Sequence, residues 1–141
     1  MGLFQCEIYS EELQKNTAFY IVRPDAMSFE RKAEEDREYK VLYLLHGPGE
    51  DYRKWLRSAP LEHLSEAYQV VFVLPDASMS NFKDIEGIGN YNTYIKKELP
   101  QIVQCYFGFP ASEKVIYISG NAGFPDEITC LTHMLETMRR N

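Results

Sequence analysis

A turn late in the sequence has the spacing of a hydrolytic nucleophile but lacks the nucleophile itself. It spans Ser119–Pro125, with the sequence SGNAGFP, and follows an apolar segment that we predict to be a buried strand. In a Gly-x-Ser-x-Gly turn, a serine on a sharp strand-to-helix bend presents its hydroxyl to the substrate. Ala122 occupies the serine position here, and Phe124 occupies the second glycine position. The pattern therefore keeps the bend and loses the group that would react.

Two other groups near this turn could do chemistry. Ser119 carries a hydroxyl, but it precedes Gly120 and has no bend of its own. Cys130 and His133 lie three residues apart on a predicted helix, a spacing that suits an activated thiol or half of a metal site. No further ligand or oxyanion site accompanies them, so an apolar cysteine beside a surface histidine is the simpler interpretation. We expect neither a metal ion nor a cofactor.

Strand and helix patterns alternate along the chain and must position these residues. Two strands with a polar turn between them predict a hairpin, and three later strands, apolar at every position, predict a parallel sheet covered on both faces. Pro100 should kink or divide the second of three predicted helices. The predicted fold is α/β, a mostly parallel sheet with an N-terminal antiparallel hairpin, flanked by helices. The strands are Phe4–Ser10, Thr17–Arg23, Val41–Leu45, Val70–Leu74 and Val115–Ile118, and the helices are Pro60–Tyr68, Asn92–Phe107 and Pro125–Arg140.

The composition describes an ordinary acidic domain. The chain has 141 residues, 45% of them hydrophobic, and a formal net charge of -6. This charge argues against nucleic acid or an anionic membrane as a partner, because phosphate binding needs a basic face. The 3 cysteines lack metal-site spacing and indicate reduced thiols, so we expect a cytoplasmic protein. The sequence contains no run of about 20 apolar residues, so it predicts no membrane-spanning helix.

Four segments, taken in order, carry a resemblance to a known family. The chain resembles the esterase branch of the α/β-hydrolase superfamily that includes esterase D (S-formylglutathione hydrolase) and the bacterial tributyrin esterases. The resemblance covers roughly residues 4–120 and implies a single truncated domain, the N-terminal half of such an enzyme, with residues 121–141 forming a divergent turn and a terminal helix. The segments are YKVLYLLHG at Tyr39–Gly47, Trp55-Leu56, VLPD at Val73–Asp76 and Glu98–Pro100.

The resemblance implies hydrolysis of acyl esters or thioesters, and it also shows which parts of that machinery are degenerate. It places the nucleophile at Ala122 and the two oxyanion donors at Pro48 and Gly123. Proline has no backbone N–H, and loss of one donor typically costs roughly 10²–10³ in rate. Relatives take their catalytic Asp and His from strands beyond the nucleophile helix, and this chain ends before such strands. No catalytic residue is therefore expected to be intact.

A remnant of the family's pocket is a further expectation. It would hold a small acyl or thioester ligand between the loops that follow the strands. A loop over the strand ends, with His46 in a structural role, explains the same residues equally well. The pocket residues would be His46, Gly47, Gly49, Trp55, Phe82 and Tyr91.

The missing strands have a consequence for assembly and for function. Val115–Ile118 would become an exposed sheet edge, which is an aggregation hazard unless it is covered, so we expect a homo-oligomer that hides it.

The leading hypothesis is a catalytically inactive relative with a binding or assembly role. The alternative is an active hydrolase of small acyl esters or thioesters with a rebuilt site, using Cys130 and His133 or a dimer interface. A truncated or engineered product without an evolved function is a third possibility.

Overall fold

The order of the elements alternates strands with helices, as the sequence predicts. A computed structural model of the chain describes residues 2–24, 40–46, 53–76, 84–85, 89–108, 115–119 and 127–140. Its strands are β1 (Gly2–Ser10), β2 (Lys15–Arg23), β3 (Lys40–Leu45), β4 (Val70–Pro75), β5 (Asp84–Ile85), β6 (Gly89–Asn90) and β7 (Val115–Ser119). Its helices are α1 (Lys54–Ser58), α2 (Leu61–Tyr68), α3 (Tyr91–Thr93), a π-helical turn (Tyr94–Glu98), α4 (Leu99–Phe107) and α5 (Glu127–Arg140).

Five strands form the main sheet in the order β1-β2-β4-β3-β7. β1 and β2 are an antiparallel hairpin with Gly2 opposite Arg23, and β2 continues antiparallel onto β4. β4, β3 and β7 run parallel, with Val41 opposite both Val71 and Val115. The predicted hairpin and the predicted parallel strands are therefore confirmed, in one mixed sheet.

Helices cover both faces of this sheet, because the central strands are apolar on both sides. On one face, Tyr94, Leu99 and Val103 of the π-turn and α4 join the cluster that contains Val41 and Val71. On the other face, α1, α2 and α5 contribute a second cluster. Its helical members are Trp55, Leu61, Leu64, Leu131 and Leu135, and its strand members include Leu42, Leu44, Phe72 and Leu74.

A π-helical turn stands just before Pro100 in the helix that precedes β7, where the sequence predicts a kink or a division. The N–H of Leu99 donates to the carbonyl of Tyr94, five residues back, which defines the π-helical turn just before the proline. Proline lacks an N–H and its ring crowds the carbonyl of the preceding turn. A widened turn is a usual way for a helix to accommodate such a disruption.

Two features were not predicted from the sequence. The helix α1 has only 5 residues, too few to show an amphipathic period. The hairpin of β5 and β6 has two-residue strands, too short for an alternating pattern. The predicted terminal helix is present from Glu127 to Arg140, while Pro125 and Asp126 lie outside the described residues.

Candidate functional site

The carboxyl ends of β3 and β4 bring a histidine and a carboxylate together. His46 follows β3 directly and Asp76 follows β4, so the parallel strands place both at one edge of the sheet. Nε2 of His46 lies 3.4 Å from Oδ1 of Asp76; the histidine is buried and the side chain of Asp76 is 29% exposed. The N–H of Asp76 also donates to the carbonyl of Ala18 on β2, at 3.3 Å. Asp76 therefore joins the ends of β3 and β4 to the neighbouring strand β2.

The sequence predicted a structural role for His46 but not its partner. Asp76 and His46 belong to two of the four segments that carry the family resemblance, and the fold brings these segments into contact. Each residue follows an apolar strand immediately. That shared position was a signal in the sequence that could have identified the pair, because parallel strands end at the same edge.

Trp55 supports the end of β3 from the side of the helices. Its indole N–H donates to the carbonyl of Leu45 at 3.2 Å, and the side chain is 1% exposed within the second apolar cluster. The carbonyl that it engages belongs to the residue just before His46. The described contacts of Trp55 are thus with the scaffold, and its place in a ligand pocket stays a prediction.

Two buried tyrosines lie behind the same edge. The hydroxyls of Tyr91 and Tyr94 are both buried, and that of Tyr91 makes no hydrogen bond among the described residues. Burial raises the pKa of Tyr94 well above its ordinary value; the carboxylates of Glu98 and Asp76 act in the same direction, and Thr17 acts weakly against them. Tyr94 is therefore a neutral, protonated phenol at physiological pH.

Tyr91 contacts the N-terminal hairpin. Its side chain is fully buried, and the ammonium of Lys15 lies 5.3 Å from the centre of its ring. Cations over aromatic rings at this distance are attracted by the ring quadrupole. As with Trp55, the described contacts are structural and the predicted ligand role stays a prediction.

A surface groove of about 550 Å³ lies beside Asp76, over the outer strands. Glu7 and Asp76 supply carboxylates and Thr17 a hydroxyl, and among the described lining residues there is no thiol or imidazole. None of the described residues predicted for the pocket lines this groove. Its lining is Glu7, Ile8, Tyr9, Asn16, Thr17, Ala18 and Asp76.

The remaining predicted site residues divide into two groups. His133 is exposed on α5, whose Leu131 and Leu135 are buried in the core, and Cys130 lies one turn earlier on the same helix. Across the part of the chain that the structure describes, no three metal-binding side chains cluster and no helix is long and apolar enough to cross a membrane.

The residues predicted at the nucleophile, oxyanion and outer pocket positions lie outside the described residues, so their roles stay predictions. They are Gly47, Pro48, Gly49, Phe82, Ala122 and Gly123.

Comparison with known proteins places this geometry in context. No family model matches the chain. An acetyl esterase of Caldicellulosiruptor saccharolyticus is 31% identical over 123 residues, which cover 85% of this chain and 46% of that protein. The chain therefore spans about half the length of this curated relative.

Solved structures agree with the sequence relative. The fluorophosphonate-binding serine hydrolase F of Staphylococcus aureus superposes with a TM-score of 0.71 at 18% identity, over 84% of this chain and 46% of that one. An S-formylglutathione hydrolase of Staphylococcus aureus superposes with a TM-score of 0.68 at 18% identity, over 86% of this chain and 48% of that one. A ferulic acid esterase superposes with a TM-score of 0.64 at 21% identity, over 84% of this chain and 48% of that one. The predicted resemblance and the predicted α/β-hydrolase fold are confirmed, over a stretch equal to about half of an esterase of this type.

Proposed function

We propose that this chain uses an esterase-type α/β-hydrolase fold for binding or assembly and does not hydrolyse esters. The observation that carries the proposal is the setting of Ala122. β7 ends at Ser119 and α5 begins at Glu127, so Ala122 falls in sequence between a strand and a helix, where the family resemblance places the nucleophile. The methyl group of Ala122 has no lone pair to attack an acyl carbon, so no acyl-enzyme can form there.

The oxyanion side of the mechanism is affected independently. Pro48 stands two residues after His46, where the resemblance implies a backbone N–H donor. Because proline has no such donor, restoring a serine alone would leave the developing oxyanion with incomplete stabilisation. Two separate losses in one mechanism support a non-catalytic role more strongly than either loss alone.

The described histidines also support this proposal. His46 is buried against Asp76 at the strand ends, and its described partner is a structural carboxylate. His133 is exposed on a helix whose apolar residues face the core. A general base must lie within hydrogen-bond reach of its nucleophile, and the described contact of His46 is instead with the carboxylate of Asp76.

An active hydrolase of small acyl esters or thioesters is the second candidate. The similarity to an acetyl esterase favours it. In this candidate, Cys130 and His133 would replace the lost serine chemistry, with a small acyl or thioester group as substrate. Sensitivity of any activity to iodoacetamide, together with its loss in Cys130→Ala, would identify this route.

We expect hydrolysis of p-nitrophenyl acetate at the rate of the buffer blank. Ala122 offers no nucleophile, and Pro48 removes an oxyanion donor, so both the chain and its Ala122→Ser variant should remain near the blank. The measurement is the initial release of p-nitrophenolate at several protein concentrations, with a serine esterase of this fold as the positive control. Turnover that rises with protein concentration and disappears on one point substitution would overturn the proposal.

The assembly part of the proposal concerns the edges of the sheet. Within the described residues β7 is last in the strand order and pairs only with β3, from Val41–Val115 to Leu45–Ser119. An apolar strand in this position favours association, because the N–H and C=O groups on its outer edge can form hydrogen bonds with another strand. We therefore expect a homo-oligomer, as the segment Val115–Ile118 predicts. Size-exclusion chromatography with light scattering at micromolar concentration tests it, and a clean monomer would contradict it.

A further inference from the structure

The groove over β1, β2 and the end of β4 is acidic along its described lining. Its volume of about 550 Å³ falls within the range of about 300–1,000 Å³ that is typical of small-molecule sites. Glu7 and Asp76 supply two carboxylates, and no lysine or arginine occurs among the described lining residues. None of these residues belongs to the nucleophile or oxyanion positions of the resemblance, so the proposed function leaves the groove unexplained.

Strand pairing places the two carboxylates in one row across the sheet. Glu7 on β1 lies directly opposite Ala18 on β2. Phe19 lies opposite Pro75, so the next pair in the same register is Ala18 and Asp76, and the N–H of Asp76 donates to the carbonyl of Ala18 at 3.3 Å. Residues that lie opposite one another on neighbouring antiparallel strands share a face of the sheet. Glu7, Ala18 and Asp76 therefore project from the same face.

The row keeps its two carboxylates apart. Neighbouring strands lie about 4.7–4.9 Å from each other, so the backbones of Glu7 and Asp76 are about 10 Å apart, with only the methyl group of Ala18 between them. Asp76 is held on its other side by Nε2 of His46 at 3.4 Å, while its side chain stays 29% exposed. No group of three metal-binding side chains occurs among the described residues. A ligand that matches this row carries two separated positive groups and not one central ion.

A second pair of lining residues adds an aromatic ring beside the row. Tyr9 lies opposite Asn16 and two residues along β1 from Glu7, so it projects from the same face. Its side chain is 61% exposed, and an exposed ring of this kind attracts an ammonium group. Lys15, which precedes Asn16, directs its ammonium to the ring of Tyr91 in the cluster on the opposite face. The nearest lysine in the sequence is therefore engaged away from the groove.

We propose that this groove binds a linear aliphatic diamine, with one ammonium group at Glu7 and the other at Asp76. Each ammonium forms a charge-assisted hydrogen bond with a carboxylate, and the methylene chain crosses Ala18 beside the ring of Tyr9. The formal net charge of -6 favours the approach of such a cation. The inference goes beyond the proposed function and does not depend on it. Hydrolysis of p-nitrophenyl acetate by this chain would overturn the proposed function and leave diamine binding unaffected.

Titration of the full, nitrogen-15-labelled chain with hexamethylenediamine tests the site by nuclear magnetic resonance. Amide shifts should concentrate at Glu7, Ala18 and Asp76, and added sodium chloride should raise the dissociation constant, because salt screens exposed charges. Two probes test the spacing. n-Hexylamine has the same carbon chain with one charge, and ethylenediamine has two charges that are too close to span the row. Both should bind about threefold more weakly or worse, since each engages only one carboxylate.

Three variants locate the binding in the groove. Glu7→Gln keeps the size of an exposed side chain and removes its charge, so the dissociation constant for hexamethylenediamine should rise about threefold or more. Glu62→Gln removes the same charge from an exposed position on α2 outside the groove lining and should leave binding unchanged. Ala18→Leu fills the space between the carboxylates without changing the charge and should also weaken binding. Circular dichroism checks that each variant keeps its fold.

The outcomes that overturn the inference are distinct. Equal weakening in Glu7→Gln and Glu62→Gln would show attraction to the net charge alone. Binding of n-hexylamine as tight as that of hexamethylenediamine would show that the two carboxylates do not act together. Amide shifts confined to residues outside the groove, or no shifts at all, would exclude the site.

Discussion

Replacing Trp55 with alanine is expected to lower the free energy of unfolding by about 3–5 kcal/mol. The side chain is 1% exposed, it fills the cluster between the sheet and α1, α2 and α5, and its indole N–H satisfies the carbonyl of Leu45. The substitution leaves a cavity and an unsatisfied carbonyl together. Because domains are stable by only about 5–15 kcal/mol, this loss is a large fraction of the total and should lower the urea midpoint of unfolding.

Two further variants separate the contributions of Trp55. Trp55→Phe keeps most of the ring volume and loses the donor to Leu45, so we expect a smaller loss of about 1–2 kcal/mol. Glu62→Ala on the exposed side of α2 is the matched control and should change stability by less than about 0.5 kcal/mol. Since the chain has 1 tryptophan, unfolding in urea is followed by far-ultraviolet circular dichroism. Equal stability of Trp55→Ala and Glu62→Ala would contradict the role assigned to the indole.

The architecture was largely predictable from local patterns. Strands such as Val70–Pro75 are apolar at every position, a pattern that favours burial on both faces, and the structure buries every one of these residues. The polar turn after Ser10 predicted the hairpin, and Pro100 predicted a disruption of the helix. These features depend on period and on backbone chemistry, which are properties of short stretches of sequence.

The contacts at the strand ends were not predictable in the same way. Asp76 joins His46 because β3 and β4 are neighbours; the sequence signals that both residues follow apolar strands, but the order of the strands is decided by tertiary packing. The donation from Trp55 to Leu45 likewise depends on how α1 returns to the sheet. Tertiary packing decides such contacts. The sequence therefore identified the residues but not their partners. It assigned ligand roles to Trp55 and Tyr91, which no described contact supports or excludes.

Replacing Glu98 with alanine is the second prediction with a large expected effect. One carboxylate oxygen of Glu98 accepts from the hydroxyl of Ser10, and the other accepts from the N–H groups of Glu11 and Glu12 at 2.9 and 3.4 Å. Ser10 is fully buried, and its hydroxyl also accepts from the N–H of Leu13. A single side chain from the π-helical turn therefore organises the turn between β1 and β2.

We expect Glu98→Ala to lower the free energy of unfolding by about 2–3 kcal/mol, because charge-assisted hydrogen bonds to the turn are lost together. Glu98→Gln keeps an acceptor and should cost about half as much. Lys97→Ala, an exposed neighbour on the same helical turn, is the matched control and should stay within about 0.5 kcal/mol. Urea unfolding measures the free energies of the three variants. In Glu98→Ala, hydrogen exchange at the amide of Leu13 should accelerate more than exchange in the central strands.

This experiment also bears on how the family resemblance is interpreted. Glu98 lies in one of the four segments that carry it, and Trp55, His46 and Asp76 lie in the other three. Their described contacts serve the scaffold: a turn, the end of a strand and a link between strands. If Glu98→Ala destabilises the turn while Lys97→Ala does not, this segment of the resemblance is explained by stability alone. A chain can then resemble an esterase along these segments because it needs the fold, without the fold being used for hydrolysis.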